Sequence, residues 1–269
     1  MDLRPLTKSQ PVNQDKFEVS KILFGTSSFG GAFDEIENCS PFEAVSRALE
    51  LGINAFDTSP FYGDSEQILG SVLSSLSDKY PRSHYYILTK VGRYGLNKED
   101  FDYSSKRTRE SVEEKFVDID EVVGDGGVLI ELFKLKFKSF GVKYLMNASP
   151  LSMALLTETA PPQWHPAPAK LRSIISKCAS YAKENGFKIS KLAIQFSLEW
   201  DGTDSTVIGL SNRKQVEEAI TWFNEILARK RCEKNADKIE QIVVQEIQKI
   251  MGDWLNWCWE YPPTTIYQR

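Results

Sequence analysis

The chain has 269 residues, 41% hydrophobic and 26% charged, the composition of a soluble globular domain with a sizeable core rather than of a disordered chain. Its formal net charge of −4 argues against a basic, phosphate-neutralising surface, and so against nucleic acid as a partner. Cys39, Cys178, Cys232 and Cys258 form no Cys-x-x-Cys pair, which excludes the usual zinc and redox-dithiol spacings and fits reduced thiols in the cytoplasm.

Residues 1–17 are polar, carry both signs of charge and hold no apolar segment of signal-peptide length. They read as an extension before a single domain over 18–269. Lys21 to Gly25 predicts a short buried strand, followed by the turn-forming stretch from Thr26 to Gly31. Ser40 as N-cap, Pro41 at the first helical position and Glu43 in the first turn then open a helix. Its Phe42, Val45, Ala48 and Leu49 recur at helical spacing, and it stops at Gly52. A second strand follows over 53–56. A second helix begins near Glu66 and is broken at the Tyr80-Pro81 step, and a third strand over 86–89 ends at Lys90. This alternation is that of a parallel α/β sheet.

Beyond Lys90 the alternation lapses. Residues 108–114 predict an amphipathic helix, and 120–136 a further one, with the awkward Gly124-Asp125-Gly126-Gly127 in its first half and no strand before it. Strand character resumes over 142–146. A Pro-rich loop over 161–166 leads into helices over 170–185 and 190–198, then a strand over 205–208 that ends in Gly209. The tail from Val216 reads as helical as far as Met251. Five strands with parallel spacing are expected. No run approaches the ~18 apolar residues of a membrane span, so no membrane partner is expected.

Asp57 and Lys90 close two consecutive apolar strands, and Tyr62 follows the first. These are the polar groups of a carbonyl reductase, in which hydride delivered to carbon must be matched by a proton delivered to oxygen. A phenol near pKa ~10 relays protons poorly at neutral pH unless a cation stabilises its anion. Lys90 would supply that charge, and Asp57 would hold the ammonium by a charge-assisted hydrogen bond. On spacing alone, the same residues also read as a buried ion pair beside a loop aromatic. Of the two histidines, His84 precedes a strand at the end opposite such a site, and His165 lies in the Pro-rich loop, which has the reach to lean over it.

Five motifs resemble, in order and wording, the aldo-keto reductase superfamily and within it the fungal and plant D-arabinose and L-galactose 1-dehydrogenases. They are Phe56-Asp57-Thr58-Ser59-Pro60-Phe61-Tyr62-Gly63, Thr89-Lys90-Val91-Gly92-Arg93, Phe101-Asp102-Tyr103-Ser104, Asn147-Ala148-Ser149-Pro150-Leu151-Ser152-Met153 and Val207-Ile208-Gly209-Leu210-Ser211. The resemblance implies an α/β fold of the (β/α)₈ TIM-barrel type with its site at the C-terminal ends of the strands. Against that plan the chain is incomplete. One piece is missing near 116–117, where the family's fourth strand carries its catalytic histidine. Another is missing near 136–138, where the fifth and sixth strands carry polar residues that hold the nicotinamide amide. Five strands do not close an eight-stranded barrel with the usual tilt and stagger.

The resemblance further implies hydride transfer between NAD or NADP and the C1 of an aldose, or another small-molecule carbonyl or alcohol. Asp57, Tyr62 and Lys90 are then the surviving catalytic set. Gly25 and Thr26 fall on the nicotinamide side, with Asp57 also counted among the cofactor-binding residues. Ser149, Leu151 and Ser152 fall where the family binds the pyrophosphate. Gly209, Leu210, Ser211, Gln215 and Glu218 match its adenosine segment, in which a strand end and a helix N-terminus present amides to a phosphate. Ala219 stands where the family commonly has an asparagine that contacts adenine. Arg213 and Lys214 read either as contacts to a 2′-phosphate or as ordinary surface. Losing an oxyanion donor such as the missing histidine costs on the order of 10²-fold in turnover. A non-catalytic nucleotide binder and a defective product are therefore the alternatives. No Gly-x-Gly-x-x-Gly follows the first strand, so no Rossmann domain is expected. Trp164, Trp254, Trp257 and Trp259 read either as a sugar-stacking wall or as anchors of the C-terminus.

Overall fold

Ile22–Gly25 (β1) is a run of four buried residues, the continuous apolar pattern of a strand in a parallel sheet. It is the central pairing element in a computed structural model that describes residues 18–30, 40–90, 102, 104, 106, 121–123, 144–231 and 238–257. The other strands are Ala55–Asp57 (β2), Tyr86–Lys90 (β3), Glu121–Val123 (β4), Met146–Ala148 (β5) and Ser205–Gly209 (β6). They form one six-stranded sheet in the order β4-β3-β2-β1-β6-β5, and every pair is parallel. All six strands therefore end on the same side.

The pleat sorts the side chains. Gly25 pairs with Asp57 and Gly209, and Asp57 with Leu88. Since side chains alternate along a strand, Leu23, Ala55, Tyr86 and Leu88 share a face with Gly25, Asp57 and Lys90. Those four apolar residues form a buried cluster joined by Val19, Met146 and Val207. The opposite face carries Phe24 and Phe56, with ring centroids 5.6 Å apart. Phe29 packs 5.6 Å from Phe24 on that side.

Two helices follow the first two strands. Pro41–Glu50 (α1) begins with proline at its first position and buries Ala44, Val45, Ala48 and Leu49, one stripe at helical spacing. It ends at Gly52, whose φ of 89° suits a residue without a Cβ. Ser65–Ser75 (α2) buries Ser65, Leu69, Val72 and Leu73.

Three expectations change. Residues 121–123 form β4 rather than the start of a helix, pairing with Leu88, Thr89 and Lys90. The β-branched pair Val122-Val123 and the glycines after it favour an extended backbone once β3 supplies the partners. Among the described residues the sheet accordingly has six strands, one more than the five expected. β5 covers 146–148, while Tyr144 and Leu145 of the strand expected over 142–146 stand outside it and 142–143 lie outside the described residues; its register is set by Met146 facing Ser205 of β6. The helix read over 108–114, the remainder of that over 120–136 and both junctions at 116–117 and 136–138 lie outside the described residues.

The chain divides into two compact units, residues 1–148 with 200–220 and residues 149–199 with 221–269. The sheet, α1 and α2 belong to the first. Arg213–Arg231 (α5, numbered after α3 and α4 below) contributes residues to both. In the second unit, Ala169–Glu184 (α3) presents Leu171, Ile175, Cys178 and Ala182 as a buried stripe. That stripe packs with Ile189 and Leu192 of Ile189–Glu199 (α4) and with Val243 and Ile247 of Lys238–Met251 (α6). Arg229 ties these helices, bonding Glu199 at 2.8 Å and Glu240 at 2.9 Å. No helix among the described residues is long and apolar enough to cross a membrane.

Candidate active site

On the face of the sheet that carries Leu23, Ala55 and Leu88, Asp57 and Lys90 stand at the C-terminal ends of their strands. Asp57 ends β2 and is 9% exposed. Lys90 ends β3, and its Nζ donates to both Asp57 carboxylate oxygens, at 3.0 and 2.8 Å, and to the Thr58 carbonyl at 3.1 Å. A buried charge held by a carboxylate and a backbone oxygen meets the condition under which burial is tolerated. The same Nζ stands 4.7 Å from the centroid of the Tyr62 ring. Burial works against the Lys90 ammonium, but the Asp57 carboxylate and then Tyr62 outweigh it and hold its pKa above the ordinary lysine range. Lys90 is therefore a fixed cation at neutral pH.

Tyr62 lies between β2 and α2 in a loop held by close backbone packing. Its amide donates to Ser59 O at 3.0 Å, and the Ser65 amide donates to Tyr62 O at 3.2 Å. Gly30 faces that carbonyl so closely that an added Cβ would lie 1.5 Å from it. Gly63, at φ +58°, faces Gly30 in turn. The tyrosine is half-buried.

Gly25 and Thr26 occupy the end of β1, with the Thr26 amide and hydroxyl both donating to Asp57 O at 2.9 Å. A side chain at Gly25 would press on Ile208 O and Val207 at 3.2 Å. Gly209 ends β6 beside Gly25 and is exposed. Leu210 and Ser211 are buried. Asn212 Oδ1 accepts the Gln215 amide at 3.1 Å, while Gln215 Oε1 accepts the Ser211 amide at 2.7 Å. This reciprocal pair caps the start of α5. Glu218 lies half-buried on the next turn. Thus Gly25, Thr26, Asp57, Tyr62, Lys90 and the segment from Gly209 to Glu218 all belong to the sheet unit, the strand-end residues among them on one side of the sheet. Arg213 is exposed and pairs with Glu217 at 3.0 Å.

Ser149, Leu151 and Ser152 belong to the second unit. They sit in a turn in which Ser149, Ser152, Met153 and Ala154 all have left-handed φ, from 48° to 68°. The Ser152 carbonyl accepts from His165 Nε2 at 2.9 Å, and His165 Nδ1 accepts the Ala167 amide at 3.0 Å. Both ring nitrogens are thus committed inside this unit. His84 lies in the turn Arg82–His84 before β3, at the opposite end of that strand from Lys90. Trp254 packs on the helical core and against Trp257, 5.1 Å between centroids, which is the anchoring arrangement. Trp259 lies outside the described residues.

Sequence reasoning missed the Thr58 carbonyl and the hydroxyls of Thr26, Thr58 and Ser65, which bond one another beneath the site. The recurrence of a hydroxyl residue beside each strand end, Thr26, Thr58 and Thr89, was the available signal.

The Aldo/keto reductase family model matches residues 21–120 and 130–240. L-galactose dehydrogenase of Arabidopsis thaliana is 31% identical over 321 aligned positions, covering 94% of this chain and 96% of the relative. D-arabinose 1-dehydrogenase of Saccharomyces cerevisiae is 27% identical, covering 91% and 94%. Among solved structures, the glycerol dehydrogenase of Gluconobacter oxydans superposes with a TM-score of 0.56 at 17% identity, over 90% of this chain and 94% of that one; it supports the barrel-type α/β fold. With a polar Asp57, Tyr62 and Lys90 group at the strand ends and matches along most of its length, the chain belongs to the aldo/keto reductase family of oxidoreductases.

Proposed function

We propose that the protein transfers hydride between a nicotinamide nucleotide and the C1 of an aldose, with Tyr62 carrying the proton. The observation that supports this most is the Lys90 ammonium, fixed by Asp57 and Thr58 and placed 4.7 Å from the Tyr62 ring centroid. A cation held there favours the phenolate, so Tyr62 accepts the hydroxyl proton in oxidation and returns it in reduction. Asp57 keeps the ammonium aimed. NAD or NADP would supply the hydride acceptor. The exposed Gly209 at the end of β6 fits a cofactor, since a Cβ there would meet nothing nearer than Ser27 Oγ at 4.0 Å, and Gly209 is the residue proposed to meet it, with the buried Gly25, Thr26 and Ser211 behind it. The aldose class follows from the two sugar dehydrogenases to which the chain is similar.

We further propose that this single domain, residues 18–269, lacks two barrel segments near 116–117 and 136–138. The alignment with the Arabidopsis relative runs over 321 positions against the 269 residues of this chain, so that relative carries sequence with no counterpart here. The strand beside β3 carries Glu121, Val122 and Val123 and no histidine. That favours a second reading, a nucleotide binder with little turnover. Titrating the purified chain with NAD⁺ and NADP⁺ by calorimetry, then assaying D-arabinose and L-galactose, separates the two. Binding with sugar-dependent reduction of the nucleotide supports the first; binding without reduction supports the second.

A further inference from the structure

The first turn of α2 joins all three strand ends that bear the candidate chemistry. Ser65 Oγ donates to Thr26 O at 2.9 Å, touches Thr26 Oγ1 at 2.7 Å and touches Thr58 Oγ1 at 3.2 Å. Thr26 Oγ1 donates in turn to Asp57 O at 2.9 Å. Glu66 Oε1 accepts from Thr89 Oγ1 at 2.7 Å. Ser65, Thr26 and Thr89 are 0% exposed and Thr58 2%, so water does not replace these bonds without opening the fold. The three hydroxyls of Thr26, Thr58 and Ser65 have three protons for four contacts, so one proton is shared and the cluster acts as a unit.

Each bond falls beside a working residue. Thr89 precedes Lys90, Thr58 follows Asp57 and lends Lys90 its carbonyl, and the Ser65 amide closes the loop on Tyr62. We infer that Ser65 and Glu66 are positioning residues, which set the separation of Tyr62 from Lys90 by fixing β1, β2 and β3 to the start of α2. This inference rests on the proton-transfer role proposed above for Tyr62.

The test is an absorbance titration of the Tyr62 phenol, taken as the difference between each protein and its Tyr62→Phe counterpart. It needs no turnover, so inactivity toward sugars does not affect it. Thr89→Val keeps the volume and removes the bond to Glu66; Ser65→Ala removes the hub hydroxyl. In both, the phenol is expected to titrate about one pH unit above wild type, with kcat on substrates that react lowered about tenfold or more and KM little changed. Glu66→Gln keeps an acceptor for Thr89 and is expected to titrate with wild type. Should Thr89→Val and Ser65→Ala fold and titrate as wild type does, the positioning role is overturned while that of Tyr62 stands. A wild-type Tyr62 that titrates like a free phenol would overturn both.

Discussion

Gly30 and Tyr62 meet backbone to backbone, so that a Cβ on Gly30 would fall 1.5 Å from the Tyr62 carbonyl oxygen. No rotamer relieves that overlap, because both partners are main chain. Gly30→Ala should therefore move the loop between β2 and α2 and cost about 1–3 kcal/mol in stability. Urea denaturation checks the cost, and a KM that changes less than kcat would show that the loop's tyrosine, rather than sugar binding, has been disturbed.

Asp57 and Lys90 form a pair in which each charge is largely shielded from water, with side-chain exposures of 12% and 16%. Removing one partner leaves the other buried and unpaired. Lys90→Met should destabilise by about 3 kcal/mol, and the double variant Asp57→Asn/Lys90→Met by less. Equal losses in the two would contradict a coupled pair. The folded pKa of Lys90 lies above its unfolded value, so its contribution is fully present below about pH 10 and is lost only as pH rises through the folded value. Between pH 6 and 9 the wild-type advantage over the double variant, which holds no carboxylate at position 57, should accordingly stay constant.

His165 gives the opposite dependence. Burial chiefly, together with the Arg172 charge, lowers its pKa despite the bond to Ser152 O. Protonation at Nδ1 would also aim an N–H at the Ala167 N–H that now donates to it. The unfolded chain therefore takes up this proton more readily than the native one. Stability is full above the unfolded value of about 6.5 and falls as pH drops through it toward the folded pKa. Thermal unfolding at pH 7.5 and 5.5 should show a loss that His165→Gln reduces; an equal loss in the variant would assign the effect elsewhere.

Cys178 is fully buried in the helical core, and burial pushes its thiol up to about 11. The thiolate is the reactive form, so Cys178 should resist alkylation in the native protein and react at an ordinary rate in urea. Peptide mapping after brief labelling checks this, and native labelling at Cys178 would mean that the second unit opens readily.

The local signals in the sequence reached as far as local physics did. Ser40, Pro41 and Gly52 bounded α1, and the apolar runs ending at Gly25, Asp57 and Lys90 located β1 to β3 and the ion pair. β4 was not legible, because three residues beside a glycine-rich stretch become a strand only through the bonds β3 offers them. The extent of β5 was missed for the same reason, its register coming from β6. The hydroxyl cluster was equally hidden: Ser65 and Thr26 are 39 positions apart, and only the fold brings them to 2.7 Å.

The most direct test of the proposed chemistry is the rate of aldose-dependent NAD(P)⁺ reduction by Tyr62→Phe against wild type, at equal saturation with nucleotide. Loss of the phenolic proton carrier beside Lys90 predicts a fall in kcat of about 10²- to 10⁴-fold with nucleotide binding retained. A variant that turns over at the wild-type rate would show that Tyr62 carries no proton and that the Asp57–Lys90 pair serves the fold alone.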